Sequence, residues 1–341
     1  MCASLAVALG GCADRRADSV IGAGATFPAP VYGGWAQAYH DATGIAVNYQ
    51  PIGSGGGIRQ ITAGTVDFGA TDKPLSAATL AKLDLSQFPL LIGGIVPIIN
   101  VRGIGAGQIR LTGDVLAAIY LGQITRWTDP AIQRLNPALV LPDLPITVVH
   151  RADGSGTTFV FTSYLARKSA AWATTVGAGD AVNWKAGLGG KGNDGVAAFV
   201  KQTNGAIGYV EFTYASKSHL AYALVQNASG AFVAPDIAAF AAAAAAAPWG
   251  KVPGNAIVLV DQPDPAAWPI SAATFILMKR RPDNPARSAT VLRFFDWAFR
   301  TGDATAIRLS YVPLPSAVKD LIRHQWASEI ASTPRPVAKA R

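Results

Sequence analysis

Residues 19–39 read Ser-Val-Ile-Gly-Ala-Gly-Ala-Thr-Phe-Pro-Ala-Pro-Val-Tyr-Gly-Gly-Trp-Ala-Gln-Ala-Tyr, and this stretch holds the organisation of the whole chain in miniature. Ser19 to Ile21 begins a short strand. Gly22 to Pro30 is a loop of glycines, a hydroxyl residue and two prolines. Tyr32, Trp35, Ala36 and Tyr39 then fall at helical spacing, forming the apolar face of a helix that Gly44 ends. The unit recurs. Val47 and Tyr49 alternate with polar residues in a second strand, Gly53-Ser54-Gly55-Gly56-Gly57 is its loop, and a short helical stretch starts at Ile58. Val66-Asp67-Phe68-Gly69-Ala70 reads as a third strand ending on Thr71 and Asp72. That rhythm predicts an α/β fold with a mostly parallel sheet.

Further along, Phe88 to Val101 is nearly all apolar, yet too short and too broken by Pro and Gly for a membrane span. A buried strand pair or a crossing between two lobes is expected there. A helix is expected over Asp114 to Tyr120, a turn-rich stretch around Trp127, Asp129 and Pro130, and a strand over Ile146 to Val149. Arg151-Ala152-Asp153-Gly154-Ser155-Gly156-Thr157-Thr158 is the next loop, with a helix running on toward Leu165. The alanine run Ala241 to Ala247 favours a surface helix. Trp268 to Lys279 reads as a strand and Val291 to Phe299 as an amphipathic helix with core aromatics. The segment from Ser332 reads as a loose tail.

The 341 residues exceed one ordinary hydrophobic core and predict two lobes. Hydrophobic residues at 50% and charged residues at 15% can fill a large interior, which excludes global disorder. A net charge of +8 favours an anionic partner. The basic residues form no long run and do not interleave with aromatics, which argues against nucleic acid. Both cysteines, Cys2 and Cys12, stand near the start, so the rest of the chain holds no disulfide framework. His40, His150, His219 and His324 are scattered, and no Cys/His cluster has metal-ligand spacing. Neither a metal nor a cofactor is expected.

The opening, Met1 to Cys12, is a short apolar stretch closing on small residues, like the core and cleavage site of a secretory signal. Leu9-Gly10-Gly11-Cys12 looks like a bacterial lipobox, implying cleavage before Cys12 and lipid on its sulfur. No Lys or Arg precedes it, although export signals open on positive charge, which points to a start placed too late.

The glycine loops fail the tests for enzyme motifs. Lys191 follows Gly190 but precedes Gly192, where a P-loop needs Ser or Thr. Phe27 and Ile58 stand where a dinucleotide fingerprint needs its last glycine, and Ser155 is flanked by Asp153 and Thr157 where a nucleophile elbow needs glycines. No catalytic residue is assigned. What remains is anion chemistry. Loops leading into helices expose unpaired N–H donors at a partly positive end. Thr26, Ser54, Ser155 and Thr157 add hydroxyls, and glycine lets backbone approach a ligand closely.

Taken together, Gly22 to Pro30, Tyr49 to Gly57, Val66 to Asp72, Tyr120 to Trp127 and Arg151 to Thr157 resemble one family, and closely. Gly189 to Gly195, Gly205 to Glu211, Trp268 to Ile270 and Phe294 to Trp297 extend the resemblance over nearly the whole chain after about residue 20. The family is that of the phosphate-binding receptors of bacterial phosphate ABC importers. It implies a type II periplasmic binding protein with two discontinuous lobes joined by a hinge. Lobe I would comprise residues 20–92 and 262–330, lobe II residues 93–261, with 1–12 a signal peptide and 331–341 a tail. The hinge is expected near Gly93-Gly94 and Asp261. Phosphate would be clamped between Thr26, Phe27 (through its N–H), Ser54 and Asp72 on one side and Arg151, Ser155, Gly156 and Thr157 on the other. Asp153 would hold Arg151. His150, beside Arg151, departs from the family pattern and bears on local charge.

The resemblance further implies a monomer in the periplasm or cell envelope, held to a membrane by lipid on Cys12 and serving permease subunits of the importer. Asp72 accepts a hydrogen bond from a protonated oxyanion but repels a bare one. That disfavours sulfate and molybdate as ligands and leaves arsenate open. An untethered scavenger and a phosphatase or phosphotransferase are the other readings.

Overall fold

A computed structural model describes residues 19–330. Residues 1–18, on which the expected signal peptide and Cys12 fall, and residues 331–341, the expected tail, lie outside the described residues. The first part of the chain alternates strand and helix: β1 (Ser19–Gly24), α1 (Ala29–Thr43), β2 (Ala46–Gln50), α2 (Ser54–Ala63), β3 (Phe68–Thr71), α3 (Ala77–Leu83) and β4 (Leu85–Asn100). Then come β5 (Arg110–Leu111), α4 (Gly113–Tyr120), α5 (Pro130–Leu135), β6 (Thr147–Arg151), α6 (Gly156–Lys168), α7 (Ala170–Thr175), β7 (Leu188–Gly190) and α8 (Gly192–Gln202). They are followed by β8 (Ala206–Glu211), α9 (Phe212–Lys217), β9 (Ala221–Tyr222), β10 (Leu224–Gln226), β11 (Phe232–Val233) and α10 (Ile237–Ala245). The chain closes with β12 (Ser271–Lys279), α11 (Pro285–Thr301), α12 (Asp303–Arg308), β13 (Val312–Pro313) and α13 (Ser316–Glu329).

The main sheet runs β2-β1-β3-β12-β4-β8-β6-β7. β1 pairs in parallel with β2 and β3, and β6 in parallel with β7 and β8. Between these two parallel groups lie the antiparallel strands β12 and β4. The apolar run at Phe88 to Val101 falls in one unbroken strand of 16 residues, not a strand pair. Its first part, Leu85 to Gly94, pairs with β12, and its last, Ile95 to Asn100, pairs with β8. Every residue of β4 but Asn100 is buried, so both faces are covered and no polar alternation marks it in the sequence.

Several boundaries differ from expectation, three of them for a plain local reason. α2 starts at Ser54 and takes in the glycine run, four residues before the predicted start at Ile58. A side chain at Gly57 would press on Gly24 Cα at 2.5 Å and Ala23 O at 2.7 Å, so the helix start lies flat on β1 only because it is glycine there. β3 begins at Phe68, because Asp67 turns its carboxylate onto the Ile21 N–H at 2.7 Å and pairs with Arg287. β12 begins at Ser271, after an isolated bridge from Ile270 to Val260. The alanine run lies largely in α10, and Ala243 and Ala244 are buried, so the helix is not confined to the surface. The aromatics of α11 are core: Phe294 and Phe295 are buried and pack on Tyr39, Phe68 and Phe88.

Candidate functional site

The residues singled out in the sequence converge at the carboxyl ends of the parallel strands, where an open α/β sheet places its ligands. Thr26 and Phe27 follow β1 and precede α1. Ser54 opens α2, Asp72 follows β3, and Arg151 ends β6. Ser155 is the N-cap of α6, its Oγ accepting from the Thr158 N–H at 3.1 Å, and Gly156 and Thr157 form the first turn. Thr26, Phe27, Ser54, Asp72, Arg151, Ser155 and Thr157 are all at most 3% exposed.

The two groups of loops touch. Gly156 N–H donates to Ser54 Oγ at 3.0 Å, and Gly55 N–H donates to Gly154 O at 2.9 Å. Lys73 pairs with Asp180 at 2.7 Å beside them. No side chain fits at Gly156: a Cβ would stand 2.6 Å from both Asp72 Cβ and Ser54 Oγ.

Arg151 forms a two-point ion pair with Asp153. Its Nε and Nη2 donate to the two oxygens of Asp153 at 2.8 and 2.5 Å, and Nη1 reaches Thr157 Oγ1 at 3.3 Å. Burial alone would raise the Asp153 pKa. The hydrogen bonds and charge of Arg151, with the Gly192 N–H, outweigh it and hold the carboxyl below its usual range. His150 stacks on Trp184 with centroids 4.7 Å apart. Burial pushes its pKa down, so the imidazole is neutral at pH 7 and adds no charge to the site.

Asp72 differs from every other group here. Its Oδ1 is buried and has no hydrogen-bond partner among the described residues. Burial pushes its pKa up to about 7, against the Thr274 hydroxyl, the Arg151 charge and Ser54, which pull it down. The site therefore sets many donors (hydroxyls, helix-start N–H groups and one guanidinium) around one carboxylate with an unpartnered oxygen, beside which the Thr274 and Tyr32 hydroxyls are likewise buried without a partner among the described residues. Such a set suits an oxyanion that keeps one proton.

Two residues here were not singled out in the sequence. Asn193, fully buried at the start of α8, donates through Nδ2 to Thr26 Oγ1 at 2.8 Å and to Thr157 Oγ1 at 3.4 Å. It lies in the stretch Gly189 to Gly195 that resembles the family, but as a small polar residue after a glycine loop it read as an ordinary helix cap. Glu211, fully buried at the end of β8, accepts from the Tyr311 hydroxyl at 2.6 Å, and its pKa is pushed up to about 8 by burial. An acid closing an otherwise apolar strand was the signal for it.

The pattern of the PBP superfamily domain matches residues 13–301. The phosphate-binding protein PstS of Pasteurella multocida is 50% identical over 318 residues, covering 93% of this chain and 92% of that one. PstS of Methanocaldococcus jannaschii is 34% identical over 319 residues, covering 86% of this chain and 82% of that one. Among solved structures, a phosphate-binding protein from Stenotrophomonas maltophilia superposes with a TM-score of 0.71 at 20% identity, over 91% of this chain and 94% of that one. That likeness is one of fold, the type II periplasmic binding protein. Matched in sequence over more than nine-tenths of its length by a PstS protein, the chain belongs to the PstS family of phosphate-binding proteins within the PBP superfamily.

Proposed function

We propose that this chain captures inorganic phosphate outside the cytoplasmic membrane and delivers it to an ABC-type import permease. The observation that carries the reading is the Asp72 carboxylate oxygen Oδ1, buried without a hydrogen-bond partner among the described residues and set beside hydroxyls, helix-start N–H groups and Arg151. Thr26, Phe27 N–H, Arg151, Ser155 and Thr157 supply donors to the phosphate oxygens, joined by Ser54 and the Gly156 N–H, which the anion draws away from the bond they make with each other here. Asp72 accepts from the oxygen that carries a proton. Charge-assisted hydrogen bonds contribute about 1.5–3 kcal/mol each. Micromolar affinity requires about 8 kcal/mol, which a handful of them supplies after ordering costs. The ligand leaves chemically unchanged.

The partner switch in β4 supports a division into lobe I (20–92 and 262–330) and lobe II (93–261). The chain crosses between them near Gly93-Gly94 and near Asp261. Asp261 takes a left-handed φ of 52°, and its N–H donates to Pro269 O at 2.8 Å. Rigid-body closure about these crossings buries the anion and presents the closed form to the permease. Lipid on Cys12 tethers a monomeric receptor to the membrane. Labelled fatty acid incorporated into the native chain, and lost in Cys12→Ser, tests the anchor.

The deciding experiment is calorimetric titration of the purified protein with phosphate, then sulfate, at neutral pH. Tight one-to-one phosphate binding with weaker sulfate binding is expected, the gap widening as pH rises above the Asp72 pKa of about 7. Sulfate binding with silent phosphate overturns the ligand, and no heat from either overturns the function.

A further inference from the structure

Hydrogen counting decides where three buried hydroxyls of the cleft point. A hydroxyl carries one hydrogen and two acceptor lone pairs. Ser54 Oγ accepts from the N–H groups of Asp72 and Gly156, at 3.3 and 3.0 Å. Thr26 Oγ1 accepts twice from Asn193, from its backbone N–H at 3.3 Å and from Nδ2 at 2.8 Å. Thr157 Oγ1 accepts from Arg151 Nη1 at 3.3 Å and from Asn193 Nδ2 at 3.4 Å. Each oxygen is filled on its acceptor side. Ser54 turns its hydrogen to the Asp72 carboxylate and pulls its pKa down, whereas among the described residues neither threonine hydroxyl donates to a protein atom, so both of those hydrogens are left for an acceptor in the cleft.

For Ser54 the work falls to two backbone groups. For the two threonines, three of the four donors belong to Asn193. Its amide is not free to turn. Oδ1 accepts from the Glu211 N–H at 3.1 Å, which leaves Nδ2 as the end facing Thr26 and Thr157. Glu211 is itself tied down by Tyr311 and Thr213. Thr26 follows β1 and Asn193 follows β7, strands in the two opposite parallel groups of the sheet, so their bond requires the two sides to be closed.

We propose that Asn193 is a positioning residue for anion capture. It occupies the lone pairs of Thr26 and Thr157, turns both hydroxyl hydrogens toward the bound oxyanion, and does so for Thr26 only on closure. Without it each hydroxyl rotates, and in part of its range sets a lone pair against the anion. The inference rests on the phosphate reading of the cleft.

The test is calorimetric titration with inorganic phosphate of the native chain, of Asn193→Ala, and of the same change combined singly with Thr26→Val and with Thr157→Val. Thermal melting of each variant accompanies it. Asn193→Ala should weaken phosphate binding about 10- to 100-fold, the loss of one or two charge-assisted bonds. That penalty should shrink by at least about threefold once either hydroxyl is gone, because partners in one network do not add. A residue that only supports the fold would cost the same in all backgrounds, and equal penalties overturn the proposal. So does an Asn193→Ala penalty below about threefold in the native background, too small for the lost bonds. Should the alanine variant fail to fold, Asn193→Asp carries the same comparison. It keeps the acceptor for the Glu211 N–H but sets an acceptor where Nδ2 donated, and its penalty should exceed 100-fold or so while the hydroxyls are present. Absence of phosphate heat in the native chain is a separate outcome: it removes the phosphate reading, and the role of Asn193 with it.

Discussion

Replacing Asp72 with Asn should open the cleft to sulfate while leaving phosphate binding largely intact. At pH 8 the Asp72 carboxyl, whose pKa is pushed up to about 7, is mostly ionised. A sulfate oxygen against it brings two like charges to about 4 Å, which at an effective dielectric of about 20 costs roughly 4 kcal/mol. Taking up a proton avoids that cost, and with a pKa of about 7 this costs Asp72 about 1.4 kcal/mol at pH 8, so the penalty on sulfate is about tenfold. Asn removes the charge and offers Nδ2 as a donor, so sulfate affinity should rise by about that factor. Phosphate should lose about tenfold at most, because Asn Oδ1 still accepts from its P–OH group, though as a neutral acceptor. The assay is calorimetric titration of both anions into both proteins at pH 8. A second arm uses the native protein alone. Below its pKa Asp72 carries a proton and becomes a donor, so sulfate binding should strengthen as pH falls from 8 to 5.5, and the mutant should show no such trend. If Asp72→Asn leaves sulfate as weak as before, the exclusion of sulfate lies elsewhere and the argument from the Asp72 carboxylate fails.

Gly156→Ala should abolish tight phosphate binding in a protein that still folds. Its Cβ would meet Asp72 and Ser54 at 2.6 Å, and relief requires the two sides to stay apart. Overpacking of this kind costs about 1–3 kcal/mol, a 10- to 100-fold loss, and small-angle scattering should show the variant more extended with phosphate present. Binding within about threefold of native would mean that this closed geometry is not the binding geometry. The ligand-free protein should also lose stability as pH rises from 5 to 8. Asp72 and Glu211, with pKa values raised from 3.8 to about 7 and from 4.5 to about 8, hold protons in the folded state that the unfolded chain releases from about pH 4 upward. Their contribution is therefore full at low pH and lost as pH climbs through the folded values, by up to roughly 4 kcal/mol for Asp72 alone. Asp153, held below its usual range, works the other way and matters only in stronger acid. Melting curves that stay flat from pH 5 to 8, or slope as steeply in Asp72→Asn and in Glu211→Gln as in the native protein, would refute this.

How much of the site could be read from the sequence depends on whether a residue's role is local. Ser54, Ser155, Gly156 and Thr157 lie in the first turns of helices that follow strands, where the donors are the neighbouring N–H groups themselves, so loop composition alone pointed to them. Arg151 and Asp153, two positions apart, form their ion pair within one loop, a pairing that only the resemblance to the family had suggested. The start of α2 was not legible, because a glycine run disguises a helix whose reason for being glycine is the backbone of β1 beneath it. β4 was ambiguous because a strand covered on both faces has no alternation to distinguish a pair from a crossing. Asn193 lies at the far end of this scale. It touches Thr26 across 167 positions of sequence, and its role exists only once the two sides of the cleft have met. The residues that contact the anion are thus written into local loops, while the residue that orients them is defined by closure. If that division holds, substitutions at Asn193 will act chiefly on the closed state, and phosphate release should speed up more than capture slows.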